Sequence, residues 1–146
     1  MIKTIHHAAI STGNLDRLAA FYQDSMGFEA APEFGWDKGS PVADSITGLS
    51  DSAARATMLQ LEDFRIELFE FSSPPPKSGD PNRPVCDHGI THLCFTVEDL
   101  DTEYERLQSS GMVFHCSPQS MGPDTRVTYG RDPDGNVIEL MEIKGN

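Results

Sequence analysis

Short segments of alternating hydrophobic and polar residues recur along this chain, and this alternation predicts β-strands. Residues 5–11 read IHHAAIS and residues 90–97 read ITHLCFTV, and both are short, apolar segments of the kind that form strands. The remaining predicted strands lie near residues 54–61, 65–71, 113–117, 125–129 and 137–143. The turn sequence Asp-Pro-Asp-Gly before the last of them is typical of a hairpin.

Two segments carry apolar residues at the spacing of an amphipathic helix, one in each half of the chain. Thr12 or Asn14 can cap the first helix, which would end before Gly27, and Asp99 can cap the second, which would end before Gly111. The apolar positions are Leu15, Leu18, Ala19 and Tyr22 in the first segment and Leu100, Tyr104 and Leu107 in the second. Each half therefore predicts a strand, a helix and then further strands.

The two halves of the chain repeat each other. Residues 5–16, IHHAAISTGNLD, match residues 90–101, ITHLCFTVEDLD, and the later segment IELFE matches IELME. Two different matches in the same order indicate a duplicated unit. We therefore predict an α+β fold of two tandem β-α-β-β-β modules in a single domain, 1–146, with module 1 at 1–71, a linker at 72–87 and module 2 at 88–146.

Two segments stand outside the repeat. Residues 72–84 hold five prolines, which oppose helix and central strand and predict an extended linker. Residues 33–53 have no counterpart in module 2 and contain Trp36, three glycines and a possible short helix near 42–46. We interpret this insertion as a lid or substrate-facing loop, and the alternative is a surface loop with Trp36 packed beneath it.

Four residues at repeated positions predict one divalent-metal site. These candidate ligands are His7, Glu67, His92 and Glu139, each on a largely apolar face of a predicted strand. A carboxylate in such surroundings is costly unless it is compensated, and one dication compensates two carboxylates. Imidazole and carboxylate ligands together suit Zn, Mn, Ni, Co or Fe, with positions left open for a substrate.

The direction in which each strand faces is open at this stage. If the first strand is turned over, His6 takes the place of His7. By the same argument Glu70 and Glu142 are equally good inward candidates, since strand parity does not follow from the sequence. A single His in an apolar strand is also more often a core or surface residue than a ligand. The duplication of the pattern is what favours the metal site.

Composition and charge exclude several classes of partner. The net charge is −12 and the pI about 4.6, so the chain repels phosphate backbones and anionic lipids. We therefore expect no nucleic acid and no membrane as partner, and a small molecule as substrate. The three cysteines form no Cys-x-x-Cys pair and the first residues carry no signal-peptide pattern, which favours reduced thiols and a cytoplasmic location.

These motifs resemble the vicinal oxygen chelate superfamily, which includes glyoxalase I, methylmalonyl-CoA epimerase, extradiol dioxygenases, fosfomycin-resistance enzymes and bleomycin-binding proteins. The segments that carry the resemblance are IHHAAIST, LDRLAAFYQDSMGF, RIELFE, GITHLCFTVEDLD and DPDGNVIELME. The resemblance implies paired βαβββ modules whose curved mixed sheets enclose a metal. It implies His7, rather than His6, as ligand, together with Glu67, His92 and Glu139, and it implies a homodimer.

The glyoxalase I and epimerase branches are the most similar in pattern, and they imply a metal-dependent lyase or isomerase. Such an enzyme abstracts a proton next to a carbonyl, and Glu139 or Glu67 would be the catalytic base, with Glu139 favoured. Arg126, Tyr129 and Trp36 are candidate substrate-binding residues. The alternatives are a surface ion pair for Arg126 and a core or rim position for Tyr129.

Two other function classes compete with this one. An Fe(II)-dependent ring-cleaving dioxygenase is similar around Tyr129 and the Asp-Pro-Asp-Gly turn, but its signature also has a His shortly before that Tyr, and QSMGPDTRVT has none. Such enzymes also use three ligands, so Glu67 fits them poorly. A binding protein that sequesters a small molecule is the third class, but members of the bleomycin-binding branch typically lack the ligands that this chain has.

Overall fold

The computed structural model describes residues 1–145, which fold into two compact units that divide between Ser78 and Gly79. The elements of the first unit are β1 (Ala8–Ser11), α1 (Leu15–Ala20), β2 (Glu29–Ala30), β3 (Phe34–Trp36), α2 (Pro41–Thr47), β4 (Ala53–Leu61) and β5 (Phe64–Ser73). Those of the second are β6 (Leu93–Thr96), α3 (Leu100–Ser109), β7 (Val113–Phe114), β8 (Gln119–Ser120), β9 (Thr125–Arg131) and β10 (Val137–Ile143).

Each unit contains a five-stranded mixed sheet with the same connections. The first sheet has the order β1-β5-β4-β2, with β3 also paired to β4, and the second has the order β6-β10-β9-β7, with β8 also paired to β9. In each unit the first strand runs parallel to the last, and the other pairings are antiparallel. The second strand of the predicted unit is broken into two short pieces in both cases. The prediction of two repeated α+β modules is confirmed.

One face of each sheet carries a helix and forms the core of its unit. In the first unit α1 packs on β4 and β5, and Ile66 and Leu68 are completely buried on that face. In the second unit α3 packs on β10, where Ile138 and Leu140 are buried. The helix residues that complete these cores are Leu15, Leu18, Ala19 and Tyr22 in the first unit and Leu100 and Leu107 in the second. These are six of the seven apolar positions identified from the helical spacing.

The helices begin where their capping residues predict. The Asn14 side chain accepts a hydrogen bond from the Arg17 amide at 2.9 Å, so Asn14 is the N-cap of α1. Asp99 accepts one from the Thr102 amide at 3.1 Å and caps α3. The first helix ends earlier than expected, because α1 gives way at Phe21–Ser25 to a π-helical turn before Gly27.

Three expectations about strands are corrected. The first strands of the two modules begin at Ala8 and Leu93 rather than at residues 5 and 90. The strands parallel to them, β5 and β10, begin only one or two residues before the residues that pair with Ala8 and Leu93. Residues before Ala8 and Leu93 therefore have almost no neighbouring strand with which to form hydrogen bonds. The strand expected at 113–117 covers only Val113–Phe114 (β7), and a separate short strand, β8, follows at Gln119–Ser120. Residues 33–53 are not a loop, since they form β3 and α2, and the helix expected near 42–46 is confirmed.

The last part of the predicted linker belongs to the second unit. The Arg131 guanidinium donates hydrogen bonds to the carbonyl oxygens of Pro81, Arg83 and Gly135, at 3.2, 2.9 and 2.7 Å. These bonds tie the proline-containing segment to the hairpin between β9 and β10. None of the helices within residues 1–145 is long and apolar enough to cross a membrane.

Candidate functional site

A histidine and a glutamate meet in the first unit on the sheet face opposite α1. Ala9 of β1 pairs with Glu67 of β5, and His7 lies two residues before Ala9, so its side chain falls on the same face as Glu67. The His7 Nε2 atom lies 3.1 Å from Glu67 Oε2. The Glu67 side chain is 15% exposed and that of His7 is 35% exposed.

The second unit repeats this arrangement in the same register. Cys94 of β6 pairs with Glu139 of β10, and His92 lies two residues before Cys94, as His7 does before Ala9. The His92 Nε2 atom lies 3.0 Å from Glu139 Oε2. Glu139 is buried, and the His92 Nδ1 atom is also buried without a hydrogen-bond partner among the described residues. The duplication therefore extends to the contact between the two side chains.

The other two glutamates of the repeated motifs lie on the helix-covered faces. Glu70 accepts a hydrogen bond from the Leu15 amide at the start of α1, at 2.9 Å. Glu142 lies 3.3 Å from Arg126 and three residues after Glu139, which places it on the opposite side of β10. Strand parity is thereby decided: Glu67 and Glu139 lie beside the histidines, and Glu70 and Glu142 do not.

His6 lies beside His7 rather than in its place. The Nδ1 atoms of the two rings are 2.8 Å apart, so one donates a hydrogen bond to the other. Because the Nε2 atom of His7 is the one near Glu67, His7 rather than His6 belongs to the pair. His92 has no such neighbour in the repeat, since Thr91 occupies the matching position.

The donor set of each pair suits a divalent cation. Two ligands about 2.1 Å from one ion lie about 3.0 Å apart when they subtend a right angle at it. The two His–Glu separations have this value, which is also that of a hydrogen bond, so each pair can hold itself together without an ion. Within residues 1–145, no three His, Cys, Asp or Glu side chains are grouped so that they could hold a metal ion. The sharing of one ion by both pairs therefore stays a prediction.

Two titratable neighbours surround Glu139. Desolvation, together with a hydrogen bond to Glu139, raises the pKa of the Cys94 thiol to about 12. Desolvation, with a smaller effect of the Glu139 charge, also raises the pKa of Tyr129, whose ring centroid is 5.0 Å from that of His92. Tyr129 thus lies at the candidate site, as the substrate-binding prediction requires.

Arg126 lies on the other side of the second sheet. Its guanidinium bonds both carboxylate oxygens of Asp101 on α3, at 2.7 and 2.8 Å, and lies near Glu142. The Asp101 hydrogen bonds raise the pKa of Arg126, with Glu142 contributing less. The ion-pair alternative is therefore the arrangement observed, because β9 and β10 separate this guanidinium from the face that carries Glu139.

Trp36 lies on the same face of the first sheet as Glu67. It is the last residue of β3, and its indole ring packs against Phe69 and Phe71 at centroid distances of 6.1 and 6.0 Å. This part of the insertion is a strand rather than a free loop, because Trp36 pairs with Ala54 of β4, and its facing the substrate stays a prediction. Sequence reasoning missed Phe34, which reaches the same face. The alternation of Phe34 with Trp36 was the available signal.

Comparison with known proteins identifies the relatives of this fold. The chain is 34% identical to the protein YaeR of Escherichia coli over 144 residues and 32% identical to YwkD of Bacillus subtilis over 146, with at least 97% of each chain covered. A crystal structure of a glyoxalase family protein from Bacillus cereus superposes with a TM-score of 0.88 at 25% identity, covering 99% of this chain and 97% of the other.

More distant relatives bear the names of enzymes. One is an ethylmalonyl-CoA/methylmalonyl-CoA epimerase of Cereibacter sphaeroides, and another is a lactoylglutathione lyase of Haemophilus influenzae, each 24% identical over more than 95% of this chain. The family model described as Glyoxalase/Bleomycin resistance protein/Dioxygenase superfamily matches residues 4–140. The repeated fold and this match together show that the chain belongs to the glyoxalase/bleomycin resistance protein/dioxygenase superfamily.

Proposed function

We propose that this protein is a divalent-metal-dependent lyase or isomerase that abstracts a proton next to a carbonyl group of a small, oxygen-rich substrate. The observation that carries the proposal is the duplicated His–Glu pair, which has the same register and the same Nε2–Oε2 contact in both units. A structural role would not require the repeat to preserve these two side chains on the face opposite the helix.

The names of the relatives support the type of reaction. Epimerisation of a methylmalonyl thioester and the formation of lactoylglutathione both require a proton to leave one carbon beside a carbonyl and to return. These activities belong to the two named relatives, and both share about a quarter of their residues with this chain. The presence of both pairs also favours a metal-dependent enzyme over a protein that only sequesters its ligand.

The proposed ligands are His7, Glu67, His92 and Glu139, which supply two imidazole nitrogens and two carboxylates. A divalent cation bound by them, such as Zn, Mn, Ni, Co or Fe, would supply Lewis-acid stabilisation of negative charge on substrate oxygens. A neutral imidazole and a carboxylate are both donors that such ions accept. We also expect the homodimer and the cytoplasmic location implied by the sequence.

Glu139 is the proposed base. Its carboxylate is buried and adjoins the protein groups that can orient it, namely His92 and Cys94. It would take the proton from the substrate carbon while the bonding electrons move into the carbonyl, and it would then return the proton to the same or the neighbouring carbon. Tyr129, whose ring lies beside that of His92, would donate a hydrogen bond to a substrate oxygen. Glu67 is the base instead if the substrate carbon that loses its proton lies beside Glu67 rather than beside Glu139.

Solvent exchange tests this function. Metal-loaded protein is incubated in deuterium oxide with the hemithioacetal of methylglyoxal and glutathione, or with methylmalonyl-CoA, and deuterium at carbon is followed by NMR. We expect metal-dependent exchange that falls by about 10²-fold or more in Glu139→Gln. Glu142→Gln is the matched control, because it changes the same residue type on the same strand but on the opposite face. Exchange that survives Glu139→Gln and Glu67→Gln together, or that no metal supports, would overturn the proposal.

The same purified protein can be used to distinguish the proposed lyase or isomerase from the oxygenase alternative. A biphenyl-2,3-diol 1,2-dioxygenase of Rhodococcus globerulus is 36% identical over 83 residues, which cover 55% of this chain and 40% of that protein. Oxygen uptake with a catechol under ferrous iron would identify such an activity, and we expect none. Tight binding of a substrate panel without exchange or oxygen uptake would instead indicate a sequestering protein.

A further inference from the structure

Four aromatic side chains form a continuous group on the first sheet. We call this group the aromatic wall, and its members are Phe34, Trp36, Phe69 and Phe71. The ring centroids of the pairs in contact lie 5.8 to 6.5 Å apart. Phe69 and Phe71 are stacked with an interplanar angle of 27°, whereas the other pairs meet edge to face. The spacing is that of favourable aromatic contacts, so the rings support one another.

The aromatic wall belongs to the face that carries the His7–Glu67 pair. Glu67, Phe69 and Phe71 alternate along β5, so their side chains project from the same side of the strand. Phe34 and Trp36 reach that side through β3, which pairs with Ala56 and Ala54 of β4. Since alternate residues of a strand are about 7 Å apart, Phe69 is the neighbour of Glu67 along this face of β5.

These rings are not the hydrophobic core of the unit. The core lies on the other face of the sheet, where Ile66 and Leu68 are completely buried. All four of these side chains are partly exposed, and Phe34 is 47% exposed. The small side chains of Ala54 and Ala56 pair with the wall residues and are themselves covered. Folding alone therefore does not explain four half-exposed aromatic residues in one place.

Trp36 is held in position by a chain of polar groups. Its Nε1 atom donates a hydrogen bond to Ser52 Oγ at 2.9 Å, and Ser52 Oγ donates to Asp44 Oδ1 at 2.6 Å. The Asp44 carboxylate also accepts the amides of Ser52 and Asp51, both at 2.8 Å. Ser52 is completely buried. The insertion of module 1 thus supports the indole ring through Ser52 and Asp44, so the ring is fixed before any ligand arrives.

We infer that the aromatic wall binds a planar aromatic group of the substrate, whose oxygen atoms bind beside the His7–Glu67 pair. The inference rests on the proposed function for the oxygen-binding part, and it narrows the substrate to an aryl-substituted 2-hydroxy or 2-oxo carbonyl compound. Such a molecule carries its ring within a few bonds of its oxygens, which suits the neighbouring positions of Glu67 and Phe69 on one face of β5. A flat ring also meets the exposed rings edge to face without displacing a buried side chain.

Trp36 provides a direct test, because it is the only tryptophan of the chain. Mn-loaded protein is titrated with two pairs of compounds that share their oxygen donors, mandelate against lactate and phenylpyruvate against pyruvate. Binding is followed by Trp36 emission and, independently, by saturation-transfer NMR of the ligand. We expect the aromatic member of each pair to bind more tightly by about 10-fold or more, since each ring contact contributes about 2- to 10-fold.

Variants separate the aromatic wall from the oxygen-binding pair. Phe69→Leu should weaken the aromatic compounds by about 5-fold and leave lactate and pyruvate within about 2-fold of wild type. Phe114→Leu is the matched control in the other unit, where Phe114 packs on Tyr104, and it should change neither. Glu67→Gln should weaken both members of each pair alike. Urea unfolding of each variant shows whether it is folded at the titration temperature.

The outcomes distinguish this inference from the proposed function. Equal affinity for aromatic and methyl compounds, or an equal effect of Phe69→Leu on both, would overturn the aromatic wall as a binding site. Aromatic preference that disappears in Phe69→Leu, in a protein that catalyses no deuterium exchange on mandelate and phenylpyruvate or on the non-aromatic substrates, would support the wall and reject the proposed reaction. If Phe69→Leu is unfolded, Phe34→Leu at the exposed end of the wall replaces it and has the same expected result.

Discussion

Gly135 lies so close to the backbone of Pro81 that a β-carbon at Gly135 would overlap it. The backbone of Gly135 is also left-handed, with φ of +88°, and its carbonyl accepts a hydrogen bond from Arg131. The predicted linker and the last hairpin of the second unit therefore meet at a position that only glycine can occupy.

We expect Gly135→Ala to destabilise the protein by about 2–5 kcal/mol, since a left-handed alanine costs about 1–2 kcal/mol and the overlap adds about 1–3 kcal/mol. Gly39→Ala is the control, because Gly39 has a similar φ of +85° but a β-carbon there would have no heavy atom of the described residues within 4 Å. Urea unfolding of the two variants measures the difference. An equal loss in both would show that the overlap with Pro81 is relieved without cost.

The proposed ligands predict the metal content of the purified protein. Wild-type protein prepared without chelator should contain about one divalent ion per chain, and both His7→Ala and His92→Ala should lose most of it. His88→Ala, which changes an exposed residue outside both pairs, should retain the ion. Elemental analysis gives the stoichiometry. Full retention of the ion in the His7→Ala/His92→Ala double variant would remove the proposed site.

Removing the metal should also lower stability. A ligand present at 100 times its dissociation constant stabilises the folded state by about 2.7 kcal/mol when the unfolded chain does not bind it. We expect chelation to lower the free energy of unfolding by about this amount, and Mn to restore it. Glu139→Gln should abolish the response and Glu142→Gln should preserve it. A protein that unfolds identically with and without chelator would contradict the prediction.

The position of Trp36 should depend on pH through Asp44. Hydrogen bonds from the Ser52 side chain and amide lower the pKa of Asp44 below its usual value. A lowered folded-state pKa contributes stability that is present above the ordinary carboxyl pKa and is lost as the pH falls through the folded value. Trp36 emission should therefore stay constant down to about pH 4 and change only below it. Asp44→Asn should remove that transition while the protein stays folded, and a transition well above pH 4 would show that another group controls the indole.

Arg126 should contribute to stability rather than to substrate binding. It joins β9 to Asp101 of α3 on the face opposite Glu139. Arg126→Met should lower the urea midpoint, and the loss should shrink at high salt because the ion pair is partly exposed. KM for the exchange reaction should stay unchanged. A large rise in KM without loss of stability would mean that the guanidinium leaves Asp101 to bind the substrate.

Several features of the fold follow from local sequence and were predicted correctly. The duplicated motifs gave the two modules, and the helical spacing gave six of the buried helix positions. Asn14 and Asp99 cap their helices because a short polar side chain can bond the free amides of the first turn, which is a local interaction. The sequence also pointed to the two His–Glu pairs, because their duplication is visible without knowing the fold, and their binding of a metal stays a prediction.

Local sequence left two features of the site open, because both depend on which strands pair and on which face a helix packs. Glu67 and Glu70 are equivalent in the sequence, and only the side on which α1 packs decides which one faces His7. Phe34 and Trp36 reach Phe69 only because β3 pairs with β4. This pairing brings Phe34 beside Ala56, which lies 22 residues later in the chain.

The sequence by itself thus determined the repeat, the starts of the helices and the residue types available for metal chemistry, because these are encoded in local spacing. The tertiary structure decided which of two glutamates accompanies each histidine, that Arg126 pairs with Asp101, and that the insertion adds two rings to those of Phe69 and Phe71 in the aromatic wall. A strand presents its side chains alternately to two faces, and the sheet acquires a covered and an uncovered face only when a helix packs on one of them.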